Sequence, residues 1–68
     1  MKTDKTLRIL VVEDHERVRK EICTLLRTQP DFEVGCEAAN GLEGVRRAEE
    51  FHPDVVILDV SMAKSWRN

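Results

Sequence analysis

Long apolar runs are missing from this 68-residue sequence, and cysteine and aromatic residues are scarce. A membrane span needs about 20 consecutive apolar residues, and no stretch approaches that length, so we expect no contact with a membrane. The first six residues are polar and lack the apolar core of a secretory signal, which predicts a cytoplasmic protein. The cysteines, Cys23 and Cys36, form no Cys-x-x-Cys pair, so we expect reduced thiols rather than a metal–thiolate site.

A strong excess of either charge is also missing. Eleven basic and 13 acidic residues give a formal net charge of -2. A nucleic-acid-binding surface requires a basic patch, so we expect this chain alone to have no nucleic acid partner. A chain of this length forms one domain at most, and it buries only about 60% of its unfolded surface.

The apolar residues that are present form an alternating pattern of strands and helices. Continuous β-branched runs are typical of strands that are covered on both faces, and apolar residues at a helical spacing indicate amphipathic helices. The pattern predicts strands at 7–12, 32–38 and 55–60 and helices at about 15–28 and 41–51. Asn40 and Glu43 predict a capping box at the start of the second helix, and Gly35 weakens the second strand.

This β-α-β-α-β order predicts an α/β fold with a parallel sheet, and two strand orders are open. In the order 1-2-3 both helices lie on one face, whereas in the order 2-1-3 one helix lies on each face. Glu13 and Asp14 follow the first strand and Asp59 closes the third. We favour 2-1-3 because it brings these carboxylates together at the carboxyl ends of neighbouring strands, where open α/β sheets bind ligands.

An acidic cluster at a strand end suits Mg²⁺, which takes one or two carboxylates together with waters and phosphate oxygens. A carboxylate beside Mg²⁺ can also accept a phosphoryl group as a nucleophile. Two plainer interpretations stay open on spacing alone. Asp14 could cap the first helix, and Asp59 could be an ordinary loop residue after a strand.

Three sequence segments resemble the receiver domain of bacterial two-component response regulators, most closely the subclass with a helix-turn-helix output domain. They are Ile9-Leu10-Val11-Val12-Glu13-Asp14-His15, Ala39-Asn40-Gly41-Leu42-Glu43 and Pro53-Asp54-Val55-Val56-Ile57-Leu58-Asp59-Val60-Ser61-Met62. The resemblance implies a flavodoxin-like (CheY-like) fold in which Asp59 is the phosphoacceptor. It also implies that Glu13, Asp14, Asp59 and the backbone carbonyl of Ser61 bind Mg²⁺. A sensor histidine kinase would be the phosphoryl donor, and the first helix would be part of its docking surface.

The resemblance covers about residues 7–62, so we expect a disordered N-terminus at 1–6, a partial receiver domain at 7–62 and a divergent tail at 63–68. The family's later strands and helices, its switch Ser or Thr and its phosphate-contacting Lys have no counterpart, which predicts a receiver truncated after the phosphoacceptor strand. The third strand would then be an unprotected edge, and we expect marginal folding and self-association through it.

Two functions are consistent with these residues. The first is a phosphoacceptor module of a two-component phosphorelay, phosphorylated on Asp59 with Mg²⁺. The alternative is a non-signalling remnant of a response regulator without output activity. We expect no enzyme: a small Mg²⁺-dependent phosphatase would need a general acid or base, and only His15 is nearby in sequence.

Overall fold

The computed structural model describes residues 6–59, which form three strands and two helices in the predicted order. The elements are β1 (Leu7–Val12), α1 (Glu16–Leu26), β2 (Phe32–Ala38), α2 (Gly41–Phe51) and β3 (Val55–Leu58). The bounds of β1, β2 and α2 match the prediction. Helix α1 is shorter than the predicted 15–28, because a turn that includes the hydrogen bond from Thr28 N to Leu25 O closes it.

The sheet is parallel with the order β2-β1-β3, which confirms the predicted arrangement. Strand β1 is hydrogen-bonded on both sides, from Leu7 opposite Phe32 on one edge to Val12 opposite Leu58 on the other. Its last four side chains are accordingly among the most completely buried in the described part of the chain, with Leu10 and Val11 at 0% exposure. Full burial of one such side chain contributes roughly 1.5–3 kcal/mol.

Alternate residues of β1 point to opposite faces of the sheet, so both faces are apolar. One helix covers each face. Leu10 and Val12 lie on one face, where Ala48 of α2 packs against them. Ile9 and Val11 lie on the other face and pack against Cys23 of α1. The crossover to α2 therefore reverses relative to that of α1, and the carboxyl edge beside β1 becomes the switch point of the sheet.

The helix ends differ in how they are capped. Asn40 accepts a hydrogen bond from Glu43 N at 2.8 Å, as the predicted capping box requires, but the Glu43 carboxylate returns to Ala39 N, one residue earlier than in the standard motif. At α1, His15 occupies the N-cap position and no side chain caps the helix. The plainer interpretation of Asp14 as the cap is therefore wrong, since Asp14 lies one residue too early.

Gly35 lies at an irregularity of β2. The register with β1 shifts between Ile9 and Leu10, so that Gly35 has no partner on β1. The ring of Phe51 packs directly over Gly35 and occupies the space that a Cβ would need. The Arg8 guanidinium also packs on the Phe51 ring, with its central carbon 3.9 Å from the ring centroid. The weak point in the predicted strand is thus a place where Phe51, the last residue of α2, packs directly on the sheet.

We expect Gly35→Ala to lower the free energy of unfolding by about 1–3 kcal/mol, because the new methyl group would overlap the Phe51 ring. Urea unfolding followed by circular dichroism measures the change. The matched control is the same substitution in a Phe51→Ala background, where the penalty should fall below about 0.5 kcal/mol because the overlapping ring is gone. An equal penalty in both backgrounds would assign the effect to the backbone of β2 instead.

Among residues 6–59, β3 is an edge of the sheet, and all four of its residues are only partly buried. We expect the 68-residue chain to self-associate through this edge at micromolar concentration, because Val55–Leu58 carries no Lys, Pro or bulge that would protect it. Sedimentation velocity over a range of concentrations, with thermal melting, tests this expectation. A concentration-independent monomer with a cooperative melt above about 50 °C would contradict it.

Candidate functional site

The acidic residues predicted from the sequence lie at one edge of the sheet. Val12 is paired with Leu58, so Glu13 and Asp59 are the next residues along two hydrogen-bonded parallel strands. Asp14 continues the β1 loop. Glu13 is buried, whereas Asp14 and Asp59 are exposed. The order of the strands therefore brings all three to the carboxyl edge beside β1, although their side chains differ greatly in access to solvent.

Glu13 is held in place because both its backbone and its carboxylate form hydrogen bonds. Its N–H donates to Ala38 O at 3.0 Å and extends the β1–β2 pairing by one residue. Its Oε2 accepts from His15 N at 3.1 Å and lies 2.8 Å from His15 Nδ1. The hydrogen bonds from the His15 ring and backbone lower the pKa of Glu13, so the buried carboxylate stays ionised.

His15 lies between the two carboxylates of the β1 loop. Its Nδ1 is 2.8 Å from Glu13 Oε2 and 3.0 Å from Asp14 Oδ1. The hydrogen bond to Glu13 raises the pKa of His15, and the negative charges of Asp14, Glu13 and Asp59 add to this effect. From the sequence, His15 was named only as the nearby acid or base that a phosphatase would need. Its position directly after Glu13-Asp14 was the signal that could have placed it in the cluster.

The arrangement fits a divalent cation in part. Ligand atoms of Glu13, Asp14 and His15 all lie within 4.8 Å of one another. The two carboxylates are the oxygen ligands that Mg²⁺ prefers, whereas the His15 ring is not a typical Mg²⁺ ligand. Asp59 is not part of this group of atoms, but its negative charge contributes to the raised pKa of His15. Ser61, whose carbonyl was predicted to bind the metal, lies outside the described residues.

A second group of charged side chains, which we call the Glu37 cluster, consists of Arg19, Lys20 and Glu37. It lies next to the loop that follows β1 (residues 13–15), which we call the acidic loop. Glu37 Oε1 on β2 is 3.1 Å from Arg19 Nε and 3.0 Å from Lys20 Nζ. Burial alone would raise the pKa of Glu37, but the hydrogen bonds from Lys20 and Arg19 outweigh it and hold that pKa below the ordinary value. Arg19 also donates from a terminal nitrogen to Glu13 O at 2.8 Å. Sequence patterns did not single out these residues.

A parallel α/β sheet with carboxylates at its switch point is typical of a class of ligand-binding and phosphoryl-accepting domains. A family profile described as "Response regulator receiver domain" matches residues 9–66. The chain belongs to the response regulator receiver domain family, as the sequence resemblance predicted. Within residues 6–59 no helix is long and apolar enough to span a membrane.

Two curated bacterial relatives are similar to most of this chain. The chain is 48% identical over 56 residues to the transcriptional regulatory protein LiaR of Bacillus subtilis. The aligned segment covers 82% of this chain and 26% of LiaR. It is 44% identical over 57 residues to the response regulator protein VraR of Staphylococcus aureus, which covers 84% of this chain and 27% of VraR. The chain thus spans about a quarter of the length of these relatives.

Two solved structures share the fold. The response regulator domain of Thermotoga maritima CheB superposes with a TM-score of 0.79 at 38% identity, covering 84% of this chain and 42% of that one. A LuxR-family two-component response regulator from Aurantimonas sp. SI85-9A1 gives a TM-score of 0.79 at 37% identity, covering 84% and 41%. The strand order 2-1-3 that the carboxylates favoured and the flavodoxin-like (CheY-like) fold that the resemblance implied are therefore both confirmed.

Replacing Glu37 should change how stability depends on pH. The pKa of Glu37 is lower in the folded protein than its ordinary value of 4.5. Its ionised form therefore stabilises the fold above pH 4.5, and this contribution is lost as the pH falls through the lower folded-state pKa. We expect Glu37→Gln to reduce the free energy of unfolding by about 1 kcal/mol at neutral pH and by progressively less in acid.

Urea unfolding at pH values from about 7 down to about 3 tests this prediction. Glu21→Gln is the matched control, because Glu21 on α1 is 69% exposed and its nearest cation, Arg17, is 3.9 Å away. Surface pairs of this kind contribute little, so the control should follow the parent chain at every pH. A Glu37→Gln deficit that is constant across the whole range would show that packing, not charge, is what the substitution removes.

Proposed function

We propose that this chain is a phosphoacceptor module of a two-component phosphorelay, phosphorylated on Asp59. The observation that carries the proposal is the convergence of Glu13, Asp14 and Asp59 at the carboxyl edge beside β1, in a chain of the receiver family. Asp59 is exposed there, so a phosphoryl donor can approach its carboxylate.

The proposed chemistry is a single displacement at phosphorus. A carboxylate oxygen of Asp59 forms a bond to the phosphorus atom while the bond from phosphorus to the donor's leaving group breaks. With a histidine kinase the leaving group is the kinase imidazole, and with acetyl phosphate it is acetate. The product is an aspartyl phosphate, which makes Asp59 the accepting group of a transfer reaction and not the catalyst of a turning-over enzyme.

Glu13 and Asp14 are the residues that would hold Mg²⁺, with Asp59 and the carbonyl of Ser61 as further ligands. A bound Mg²⁺ would offset the negative charge on the transferring phosphoryl oxygens. Glu13 is suited to this role because its lowered pKa keeps the carboxylate ionised although it is buried. Asp14 is suited to it because its side chain is exposed beside Glu13, with both carboxylates within reach of one ion.

The proposed partner is a sensor histidine kinase that docks on α1. The outward face of this helix combines an apolar side chain with charged neighbours of both signs. Leu25 is 70% exposed, and a shallow concavity beside it is lined by Glu16, Arg17, Lys20, Glu21 and Thr24. An exposed apolar side chain with a polar rim is the composition of many transient interfaces.

We expect Asp59 to be modified by acetyl phosphate in the presence of Mg²⁺, and intact-mass spectrometry should detect a hydroxylamine-labile phosphate adduct. Asp59→Asn should abolish the adduct. Asp31→Asn is the matched control, because Asp31 is an exposed aspartate that precedes β2 at the opposite edge of the sheet, and it should be labelled normally. An adduct that persists in Asp59→Asn would assign the phosphate to another residue and overturn the proposal.

A further inference from the structure

Arg19 is the one side chain in the described part of the chain that joins the Glu37 cluster to the backbone of the acidic loop. Its Nε is 3.1 Å from Glu37 Oε1 on β2, and a terminal nitrogen donates to Glu13 O at 2.8 Å. The Arg19 side chain is only 13% exposed. A largely buried guanidinium that donates to two fixed acceptors has little freedom to move, because its donors form a planar fork.

The two peptide groups that flank the Glu13 Cα are consequently both fixed. The Glu13 N–H is bonded to Ala38 O on β2, and the Glu13 C=O is bonded to Arg19. The φ and ψ angles of Glu13, which set the direction of the chain into Asp14, therefore cannot change much without breaking one of the two bonds. The Glu13 carboxylate is fixed separately, by the backbone and ring of His15. Orientation of the loop carboxylates thus depends on α1, through Arg19, as well as on the sheet.

We propose that Arg19 is a positioning residue for the cation site: it holds the Glu13 carbonyl so that the Glu13 and Asp14 carboxylates face the same point. This inference rests on the proposed function, since it concerns the affinity of that site for Mg²⁺. Glu37 has the complementary role of neutralising the charge of Arg19. The Arg19 guanidinium can therefore lie close to Glu13 without repelling a bound Mg²⁺.

Two possible roles of Arg19, through its charge or through its positioning of the loop, predict opposite changes in Mg²⁺ affinity when the guanidinium is removed. If Arg19 acted only through its charge, Arg19→Gln would strengthen Mg²⁺ binding, because a nearby positive charge would be gone. If Arg19 positions the loop, the same substitution weakens binding, because the carboxylates lose their shared orientation. Groups that orient metal ligands typically change affinity by about 10- to 100-fold. Arg19 acts on a backbone carbonyl one step further away, so we expect a weakening of about five- to tenfold.

The experiment is a titration of the 68-residue chain with Mg²⁺ alone at constant ionic strength, followed by amide resonances of the folded form. These resonances report the affinity of folded molecules, so a variant that merely reduces the folded fraction leaves the fitted Kd unchanged. A stabilising osmolyte such as trimethylamine N-oxide favours the folded form in every sample. Arg46→Gln is the matched control, since Arg46 is an exposed arginine on α2 that lies outside the acidic residues and the α1 surface.

We expect Arg46→Gln to leave the Kd unchanged within twofold. Arg19→Lys keeps the charge but not the planar fork, and it should weaken binding by at least about threefold. Glu37→Gln is the second test if Arg19→Gln does not fold. It leaves the bond to Glu13 O in place but replaces the charged acceptor of Nε with a weaker neutral one, and we expect a weakening of about threefold.

The outcomes separate this inference from the proposed function. A parent chain that binds Mg²⁺, together with Arg19→Gln or Glu37→Gln variants that bind it as tightly or more tightly, would overturn the positioning role and leave the proposed function intact. A parent chain whose folded form shows no saturable Mg²⁺ binding would contradict the proposed function itself, and the positioning role would fall with it.

Discussion

The burial of β1 between two partner strands is the constraint on which the rest of the structure depends. Only this strand is hydrogen-bonded along both edges within residues 6–59, and among the described strands only it contributes fully buried side chains to both apolar clusters. Because Leu10 and Val12 face one helix while Ile9 and Val11 face the other, a shift of β1 by one residue would exchange the two faces. The same register sets Glu13 beside Asp59, so the core and the acidic edge are positioned by a single strand.

Concentrating carboxylates at this edge has an electrostatic cost that the neighbouring residues reduce. Glu13 is buried and would be protonated more easily in an apolar site, but the His15 hydrogen bonds keep it ionised. Glu37, which is also largely buried, is balanced by Arg19 and Lys20. The described structure therefore holds two acidic centres a short distance apart, of which one is neutralised by its own cations. The other is the centre that we propose for Mg²⁺.

Much of this arrangement could be predicted from local pattern. The apolar run at 7–12 and the helical spacing at 41–51 have one natural secondary structure each, and both bounds were predicted correctly. The strand order followed from chemistry, because only 2-1-3 brings Glu13 and Asp59 together. The end of α1 was less well predicted, since amphipathic spacing continues past Leu26 while the backbone already turns. The assignments of Asp59, Glu13, Asp14 and Ser61 to phosphate and metal remain predictions, and the domain bounds at 7–62 do as well.

The sequence by itself determined the alternation of strands and helices, the order of the sheet and the edge at which the carboxylates meet. These features depend on residue type and spacing, which a linear pattern contains. Only the tertiary structure decided which side chains hold that edge in place. The contacts of Arg19 with Glu13 and Glu37, and of Phe51 with Gly35, join residues from different elements. Their partners are selected by the crossing of helices over the sheet, and no spacing along the chain encodes that geometry.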